Sequence, residues 1–324
     1  MTRRQPRIWV LLGHRTGDNN QLLALAEALK LPFETRTLNF NLLRILRPML
    51  GASLISLNWA SRKVIAPPWP DLVLGIGWRS VAVSRWIKRA SGGNTKLVRL
   101  GDPRAGSRLF DLIVTTPQYP VDEVGNLLRL PLGMSRFRSA PAPSEAETAF
   151  LDDLPRPHRL IAVGGPAKYW ELGSDRVASA ASRLAGRGGT AILVTSPRTP
   201  SDISAALERL DKPNLRLISG PEPRFPVLLD DADEIFVTGD STAMLSEAVL
   251  SGKPVGIIPL ELSSEGQRVL GQESAGKRDL RKFWSSLRDR GLAGTIDRPL
   301  AGQLVDPGTI AADAVKALLG DRVE

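Results

Sequence analysis

The 324-residue chain contains no cysteine and only two histidines, His14 and His158. The missing thiols exclude disulfides, cysteine-ligated zinc and thiol catalysis, and they suit a reducing compartment such as the cytoplasm. Two histidines leave little material for an imidazole metal site, so we expect neither a metal nor a bound cofactor. The chain also lacks an uncharged apolar run of the roughly 20 residues that a membrane-spanning helix needs.

Acidic residues are fewer than basic ones, 34 against 43, which gives a formal net charge of +9. Such an excess attracts polyanions, meaning nucleic acid, anionic lipid headgroups or phosphorylated small molecules. No basic stripe with interleaved aromatic residues stands out, so nucleic acid is the least favoured of these partners.

Strand and helix signals alternate along both halves of the chain, which predicts an α/β protein with mostly parallel sheets. Between them, Ser135 to Pro157 is rich in proline, small residues and charge, which indicates a linker. We therefore predict two Rossmann-like domains, residues 1–140 and 141–324, facing an interdomain cleft where ligands bind. The last helix is free to pack back on the first domain.

The stretch GDSTAMLSEAVLSGKPVGIIPLE, Gly239 to Glu261, follows a predicted strand and opens a helix of small residues. The first turn of a helix has free amides and a partial positive charge, so it can bind phosphate oxygens. Ser241 and Thr242 add hydroxyl donors, although Asp240 or Ser241 equally suits a simple helix cap. Asp240 would repel a phosphate, so we expect its side chain to point elsewhere. Glu247, about two turns along, either faces solvent or accepts hydrogen bonds from ribose hydroxyls.

A second glycine-rich strand end, AVGGPAKYW, brings Gly164, Gly165 and Lys168 close together in the chain. Glycines let the backbone approach a diphosphate closely, and a lysine can neutralise its charge. The segment matches neither the Walker loop nor the dinucleotide-binding fingerprint, so its interpretation depends on its place after the first strand of its domain.

In the first half, GHRTGDNNQ occupies the loop after the first strand and offers His14, Arg15 and Asp18. A neutral histidine there can take a proton from an attacking hydroxyl, and an ordinary surface histidine fits the sequence as well. Two further strand-end loops add polar candidates on this side, namely Arg79, Asp102 and Arg104.

The stretch from Thr37 to Lys63 is apolar and aromatic, and it is interrupted by Arg44, Arg47, Arg62 and Lys63. It suits an anionic membrane surface, or equally a helix packed on the sheet with its cations in solvent. We expect a cytoplasmic protein whose basic stretch can lie on the inner face of the inner membrane.

Several motifs, in order across nearly the whole chain, resemble those of the elongated-mitochondria (mitochondrial fission) family: GHRTGDNNQLLALAEAL, PDLVLGIGWRS, LGDPR, FDLIV, AVGGPAKYW and TGDSTAMLSEAVLSGKPVGIIPLE. Bacterial members of that family are classed as nucleoside-diphosphate-sugar glycosyltransferases. One departure is TPQYP, Thr116 to Pro120, where many members have a His-Asp pair.

The C-terminal stretch is also similar to the donor motif of GT-B glycosyltransferases, such as the peptidoglycan enzyme that adds N-acetylglucosamine to a lipid-linked precursor. By position, this resemblance implies that Glu247 holds the donor ribose and that His14 lies near the acceptor. The residues it implies beside the diphosphate or the sugar are Gly164, Gly165, Ser241, Thr242 and Met244.

Together these observations favour a metal-independent glycosyltransferase of GT-B type that takes its sugar from a nucleoside diphosphate and gives it to an acceptor, which the basic stretch suggests is lipid-linked. Gly239, the helix N-terminus after it and Lys168 would stabilise the leaving diphosphate, and His14 or Asp18 is the candidate base. A nucleotide-sugar epimerase, which shares the fold and donor site, stays open. So does a non-catalytic membrane adaptor, as the plant relatives of the family imply.

Overall fold

The computed structural model describes residues 4–42, 51–136, 141–271 and 276–320. The chain divides into two compact units, which we call unit 1 (Met1–Arg136 with Val305–Glu324) and unit 2 (Phe137–Leu304). Each unit is built on a six-stranded sheet whose neighbouring strands all run parallel. The predicted α/β fold class is thereby confirmed.

Unit 1 begins with alternating strands and helices. In chain order these are β1 (Ile8–Leu12), α1 (Thr16–Ala28), β2 (Phe33–Thr37), α2 (Trp59–Lys63), β3 (Leu72–Ile76), α3 (Val81–Ala90), β4 (Lys96–Leu100), β5 (Leu112–Thr115) and β6 (Leu127–Arg129). The order of strands across the sheet is β2-β1-β3-β4-β5-β6.

Unit 2 continues the same alternation. Its elements are α4 (Glu145–Asp152), β7 (His158–Val163), β8 (Trp170–Glu171), α5 (Ser174–Ala185), β9 (Thr190–Thr195), α6 (Ser201–Glu208), β10 (Leu215–Ile218), α7 (Phe225–Asp231), β11 (Glu234–Thr238), α8 (Thr242–Leu250), β12 (Val255–Ile258), β13 (Glu261–Leu262), α9 (Ser264–Leu270), α10 (Leu280–Asp289) and β14 (Gly294–Thr295). The order across its sheet is β10-β9-β7-β11-β12-β14, and β8 pairs with β13 in a separate antiparallel ribbon.

The last helix, α11 (Pro307–Leu319), belongs to unit 1. Its buried residues join those of α1 in one apolar cluster, to which Ile8 and Val10 of β1 also contribute. Trp9 and Leu11 of the same strand face a second cluster. Successive strand residues point to opposite faces, so a run that is apolar at every position marks a parallel strand covered on both sides.

The boundary between the two units falls within the predicted linker, Ser135 to Pro157, but part of that segment forms the helix α4 of unit 2; residues 137–140 lie outside the described residues. Ser144 Oγ accepts a hydrogen bond from the Glu147 amide, and the Glu147 carboxylate accepts one from the Ser144 amide at 2.8 Å. This reciprocal capping box starts the helix despite the prolines around it.

Glu147 is buried, and it also joins α4 to the start of α7, because its Oε1 accepts hydrogen bonds from the backbone amide and Nε of Arg224 at 2.7 and 2.9 Å. The Arg224 side-chain hydrogen bonds lower the pKa of Glu147 to about 2, although burial acts in the opposite direction. Glu147 is therefore ionised at neutral pH.

Candidate functional site

Each sheet has one point at which the strand order reverses. In unit 1 the chain passes from β1 to β2 on one side and returns to β3 on the other, so the reversal lies between β1 and β3. In unit 2 it lies between β7 and β11, since β9 and β10 are on one side of β7 and β11 is on the other. In open α/β sheets, ligands bind outside the carboxyl ends of the strands at such points. The two glycine-rich strand ends of unit 2 and the His14 loop of unit 1 all lie there.

In unit 2, Ser241 is the N-cap of α8, and its Oγ accepts a hydrogen bond from the Met244 amide at 3.3 Å. The capping interpretation of Ser241 is confirmed, and this residue still lies beside the first turn of the helix together with the half-buried Thr242. The helix N-terminus therefore opens at the switch point, as a phosphate site requires.

Gly239 precedes this cap and is fixed by close packing. A Cβ added to it would lie 2.6 Å from the Trp284 ring, whose Nε1 donates a hydrogen bond to the Gly239 carbonyl at 3.0 Å. Only glycine fits at this position, because any side chain would overlap the indole. The contribution of Gly239 to a ligand site is thus to hold the loop in place.

The Asp240 side chain points into the protein, toward the glycine pair at the end of β7. Its carboxylate accepts hydrogen bonds from the Thr238 hydroxyl at 2.7 Å and from the Gly165 amide at 3.1 Å. The Gly164 amide in turn donates to the Thr238 hydroxyl at 2.8 Å. The carboxylate is therefore turned inward, and hydrogen bonds link the carboxyl ends of β7 and β11.

This network corrects the role expected for Gly164 and Gly165. Both amides already donate within the protein, so neither faces a diphosphate as an open donor. The glycines are needed for space: an added Cβ would lie 2.5 Å from Asp240 Cγ at the first position and 2.8 Å from the Arg198 carbonyl carbon at the second. The pair stays at the switch point as a packing element.

Three other donor-side candidates are Lys168, Met244 and Glu247. Lys168 lies in the loop after β7 and is exposed, with its Nζ 4.7 Å from the centre of the Tyr169 ring. Met244 and Glu247 lie on α8 itself, and both side chains are half-buried. Their accessibility is compatible with ligand contact.

In unit 1 the structure brings two predicted residues together. His14 follows β1 and Arg79 follows β3, and one guanidinium nitrogen lies 3.0 Å from Nδ1 and 2.9 Å from Nε2 of the imidazole. This contact joins the loops that follow the neighbouring strands β1 and β3. Asn19 fixes the loop by exchanging two 2.9 Å hydrogen bonds with the Gly13 backbone.

The other residues predicted on the acceptor side spread along the same edge. Arg15 is the exposed N-cap residue of α1, and Asp18 lies in the first turn of that helix, which starts earlier than the sequence indicates. Asp102 and Arg104 follow β4, one strand beyond β3, and the Asp102 carboxylate accepts from the Arg104 amide at 2.7 Å. These two residues bond to one another.

Sequence reasoning missed Arg198, which lies in the loop after β9. Its Nη2 lies 2.8 Å from the Asp240 carboxylate, so it belongs to the switch-point network of unit 2. The segment SPRTP has no motif that marks it, and only the position of β9 beside β7 reveals the connection. Across residues 4–42, 51–136, 141–271 and 276–320, no three or more acidic or histidine side chains are grouped closely enough to hold a metal ion.

Comparison with known proteins places these observations in a family. A family model described as Mitochondrial fission ELM1 matches residues 16–318, nearly the whole chain. The chain belongs to the mitochondrial fission ELM1 family. Mitochondrial fission protein ELM1 of Arabidopsis thaliana is 24% identical over an alignment of 263 residues, and the match covers 72% of this chain and 58% of that protein. The matched region thus spans little more than half of the plant ELM1 protein.

Solved structures of similar fold are more distant from this ELM1-family chain in sequence. The UDP-GlcNAc 2-epimerase of Methanocaldococcus jannaschii has a TM-score of 0.54 at 12% identity, covering 96% of this chain and 99% of that one. UGT89C1 of Arabidopsis thaliana complexed with UDP-L-rhamnose has a TM-score of 0.54 at 15% identity, with 98% and 95% covered. The Neisseria meningitidis UDP-GlcNAc 2-epimerase bound to UDP-GlcNAc has a TM-score of 0.51 at 11% identity, with 96% and 98% covered. These likenesses show the fold alone, the GT-B type shared by glycosyltransferases and such epimerases.

Proposed function

We propose that the protein is a metal-independent glycosyltransferase that binds a nucleoside-diphosphate sugar through unit 2. The observation that carries this proposal is the position of the α8 N-terminus, which opens at the switch point of the unit 2 sheet beside Ser241 and Thr242. Three solved proteins of similar fold are described with UDP-GlcNAc or UDP-L-rhamnose as ligand or substrate, which supports the same ligand class here.

In this proposal the diphosphate lies at the first turn of α8 and is neutralised by Lys168. Glu247 accepts hydrogen bonds from the ribose hydroxyls, and Met244 lies beside the sugar. An acceptor hydroxyl attacks the anomeric carbon, the bond from that carbon to the diphosphate oxygen breaks, and the nucleoside diphosphate leaves. The helix N-terminus stabilises the negative charge that develops on the leaving group.

Unit 1 has the candidate base. We propose that His14, which lies beside the Arg79 guanidinium, takes the proton of the acceptor hydroxyl. Asp18 is the second candidate for this role. Arg15, Asp102 and Arg104 lie along the same sheet edge and are proposed to contact the acceptor.

We further propose that the acceptor is lipid-linked and that unit 1 docks on an anionic membrane. Four of the five large apolar side chains that are exposed in the described part of the chain fall between residues 42 and 64: Leu42, Ile55, Trp59 and Val64. Asn41 donates to the Ile55 carbonyl at 2.8 Å, which brings Leu42 and Ile55 close together. Lys63 places its ammonium 3.4 Å from the centre of the Trp59 ring, so cation and aromatic surface lie side by side.

Charge favours an anionic surface as the partner of this segment. Residues 35–70 contain five arginines and lysines and no aspartate or glutamate. Exposed aromatic and aliphatic groups flanked by cations suit the interface of an anionic bilayer. Residues 43–50, which include Arg44 and Arg47, lie outside the described residues. No helix in the described ranges is long and apolar enough to cross a bilayer.

A thermal-shift panel of nucleoside diphosphates and their sugars tests the donor site, because a ligand that binds the folded state raises the melting temperature. We expect one nucleotide to stabilise the wild type and the His14→Gln variant equally, since His14 belongs to the acceptor side. The same nucleotide should not stabilise Glu247→Ala. If no nucleotide shifts the wild type at millimolar concentration, the transferase proposal is wrong and a non-catalytic adaptor is favoured.

An epimerase is the second candidate, because two of the solved proteins of similar fold are UDP-GlcNAc 2-epimerases. The products separate the two reactions. An epimerase converts the nucleotide sugar into an isomer with no acceptor present, whereas a transferase releases nucleoside diphosphate only as the sugar reaches an acceptor or water.

A further inference from the structure

Arg198 and Asp240 form an ion pair at the switch point of unit 2. The Asp240 side chain is 0% exposed, whereas the Arg198 side chain is 56% exposed, with 2.8 Å between Nη2 and the carboxylate. The pair therefore has one enclosed member and one member at the surface.

The enclosed member has hydrogen bonds that hold it in one orientation. Asp240 accepts from the Thr238 hydroxyl and the Gly165 amide as well as from Arg198. A buried carboxylate is tolerated only when its charge and lone pairs are compensated, and Arg198 is the cation that does so here. Asp240 in turn fixes one end of the guanidinium.

The loop that holds Arg198 is fixed as well. Thr199 Oγ1 lies 2.7 Å from the Gly164 carbonyl oxygen and 3.0 Å from that of Val163, and the Ser196 amide donates to Val163. The backbone of Arg198 also packs directly on Gly165. A pre-ordered arginine loses little conformational freedom when it binds a second partner.

A guanidinium has five N–H donors in a planar fork, and the bond to Asp240 uses one of its terminal nitrogens. The remainder of this half-exposed group lies where β9, β7 and β11 end side by side. Arginine matches the geometry of phosphate oxygens and binds them through two parallel hydrogen bonds.

We propose that Arg198 contacts the diphosphate of the nucleotide donor and that Asp240 is its positioning residue. This inference rests on the proposed donor site. The amides of Gly164 and Gly165 donate to groups of the protein itself, so Arg198 takes over the contact with the diphosphate that the sequence had assigned to them. Asp240 thus lies near the site without repelling the ligand, because its charge is directed inward onto Arg198 and Gly165.

The test is an affinity ladder, measured by calorimetry with UMP, UDP and inorganic pyrophosphate as probes. Wild-type protein should bind UDP more tightly than UMP. Arg198→Gln should lose that gain, with UDP affinity at least about tenfold weaker and UMP affinity nearly unchanged. Arg198→Lys keeps the charge beside Asp240 and should recover part of the lost UDP affinity. Arg209 is an exposed arginine at the end of α6, so Arg209→Ala is the control and should bind UDP as tightly as the wild type.

The positioning role of Asp240 is tested by combining variants. Asp240→Asn should weaken UDP binding in the wild-type background and have no further effect in the Arg198→Gln background, as expected for two residues that act as one unit. Additive losses would show that Asp240 affects binding independently of Arg198 and would overturn that half of the inference.

The remaining outcomes separate this inference from the proposed function. If the wild type binds UDP and both Arg198→Gln and Arg198→Lys bind it equally tightly, the donor site stands. The proposal that Arg198 contacts the diphosphate is then wrong. If pyrophosphate binding depends on Arg198 while UDP does not bind, the anion site stands and the base of the donor is not uracil. If the wild type binds none of the three probes and no other nucleoside diphosphate raises its melting temperature, both proposals fall.

Discussion

The loop after the first strand of unit 1 is open, whereas the matching loop of unit 2 is packed. A Cβ added to Gly13 would meet no atom within 4 Å, but one added to Gly165 would overlap the backbone of Arg198. The charges differ as well: unit 1 has 22 lysines and arginines against 12 aspartates and glutamates, and unit 2 has 21 against 22. Two sheets with the same kind of switch point therefore differ: unit 1 has an open loop and a large positive net charge, and unit 2 has a packed loop and almost no net charge.

This contrast matches the proposed division of labour. A donor site must hold one diphosphate in one geometry, so fixed loops are an advantage there. A surface that meets an anionic acceptor or bilayer gains from long-range attraction, which depends on net charge more than on exact placement. The positive charge of the whole chain resides in unit 1.

The largest expected effect comes from filling the packed loop of unit 2. Gly165→Ala should reduce the free energy of unfolding by about 3 kcal/mol, because the new methyl group overlaps the Arg198 backbone. Gly13→Ala is the matched control in unit 1 and should change stability by less than about 0.5 kcal/mol. Urea denaturation measures both. Equal free energies of unfolding for the two variants would contradict the inference that the loop of unit 2 is packed more tightly than that of unit 1.

An effect of intermediate size is expected for membrane binding by unit 1. In sedimentation with vesicles containing anionic phosphatidylserine, Trp59→Ala should weaken binding about tenfold through lost apolar contact. Lys63→Ala should weaken vesicle binding about fivefold. Lys212 is an exposed lysine of unit 2, so Lys212→Ala is the control and should leave vesicle binding unchanged. Binding that is equally weakened by the Lys212 change would show that the surface is not confined to unit 1.

The smallest effect concerns the capping box of α4 in unit 2. The folded-state pKa of Glu147, about 2, lies below its ordinary value of 4.5, so ionised Glu147 stabilises the fold above about pH 4.5. That contribution is lost progressively as the pH falls from 4.5 toward 2. Glu147→Gln should therefore lower the melting temperature by roughly a few degrees at pH 7, and the difference from wild type should narrow through this window.

Glu145→Gln provides the control for this titration, since Glu145 is an exposed acid in the first turn of the same helix. Its melting temperature should follow the wild type at every pH. A Glu147→Gln difference that persists unchanged at pH 2 would point to lost packing and not to lost charge.

Much of the fold is visible in the sequence, because buried parallel strands such as Ile8 to Leu12 are apolar at successive positions. The edge strand Phe33–Thr37 is largely polar and exposed, so it gives no comparable signal. Helix α4 was hidden by the prolines around it, although its Ser144 and Glu147 spacing is that of a capping box.

For the candidate site, the sequence indicated which strand-end loops contain its residues, but it did not indicate the hydrogen-bond partners of those residues. His14 and Arg79 are 65 positions apart, and only the adjacency of β1 and β3 brings them into contact. The amides of Gly164 and Gly165 look available in sequence, yet Thr238 and Asp240 occupy them. Arg198 has no local motif, so no reading of its neighbours could assign it to the site.

The return of α11 to unit 1 has a consequence for how the protein is made. Its residues Ala311, Ala312, Val315 and Leu319 complete the apolar cluster on one face of the first sheet, yet they leave the ribosome after all of unit 2. Unit 2 is in effect inserted into unit 1, so the nascent chain can finish the second fold while the first still exposes an uncovered face. In the cell, that uncovered face is open to chaperone binding and aggregation during synthesis.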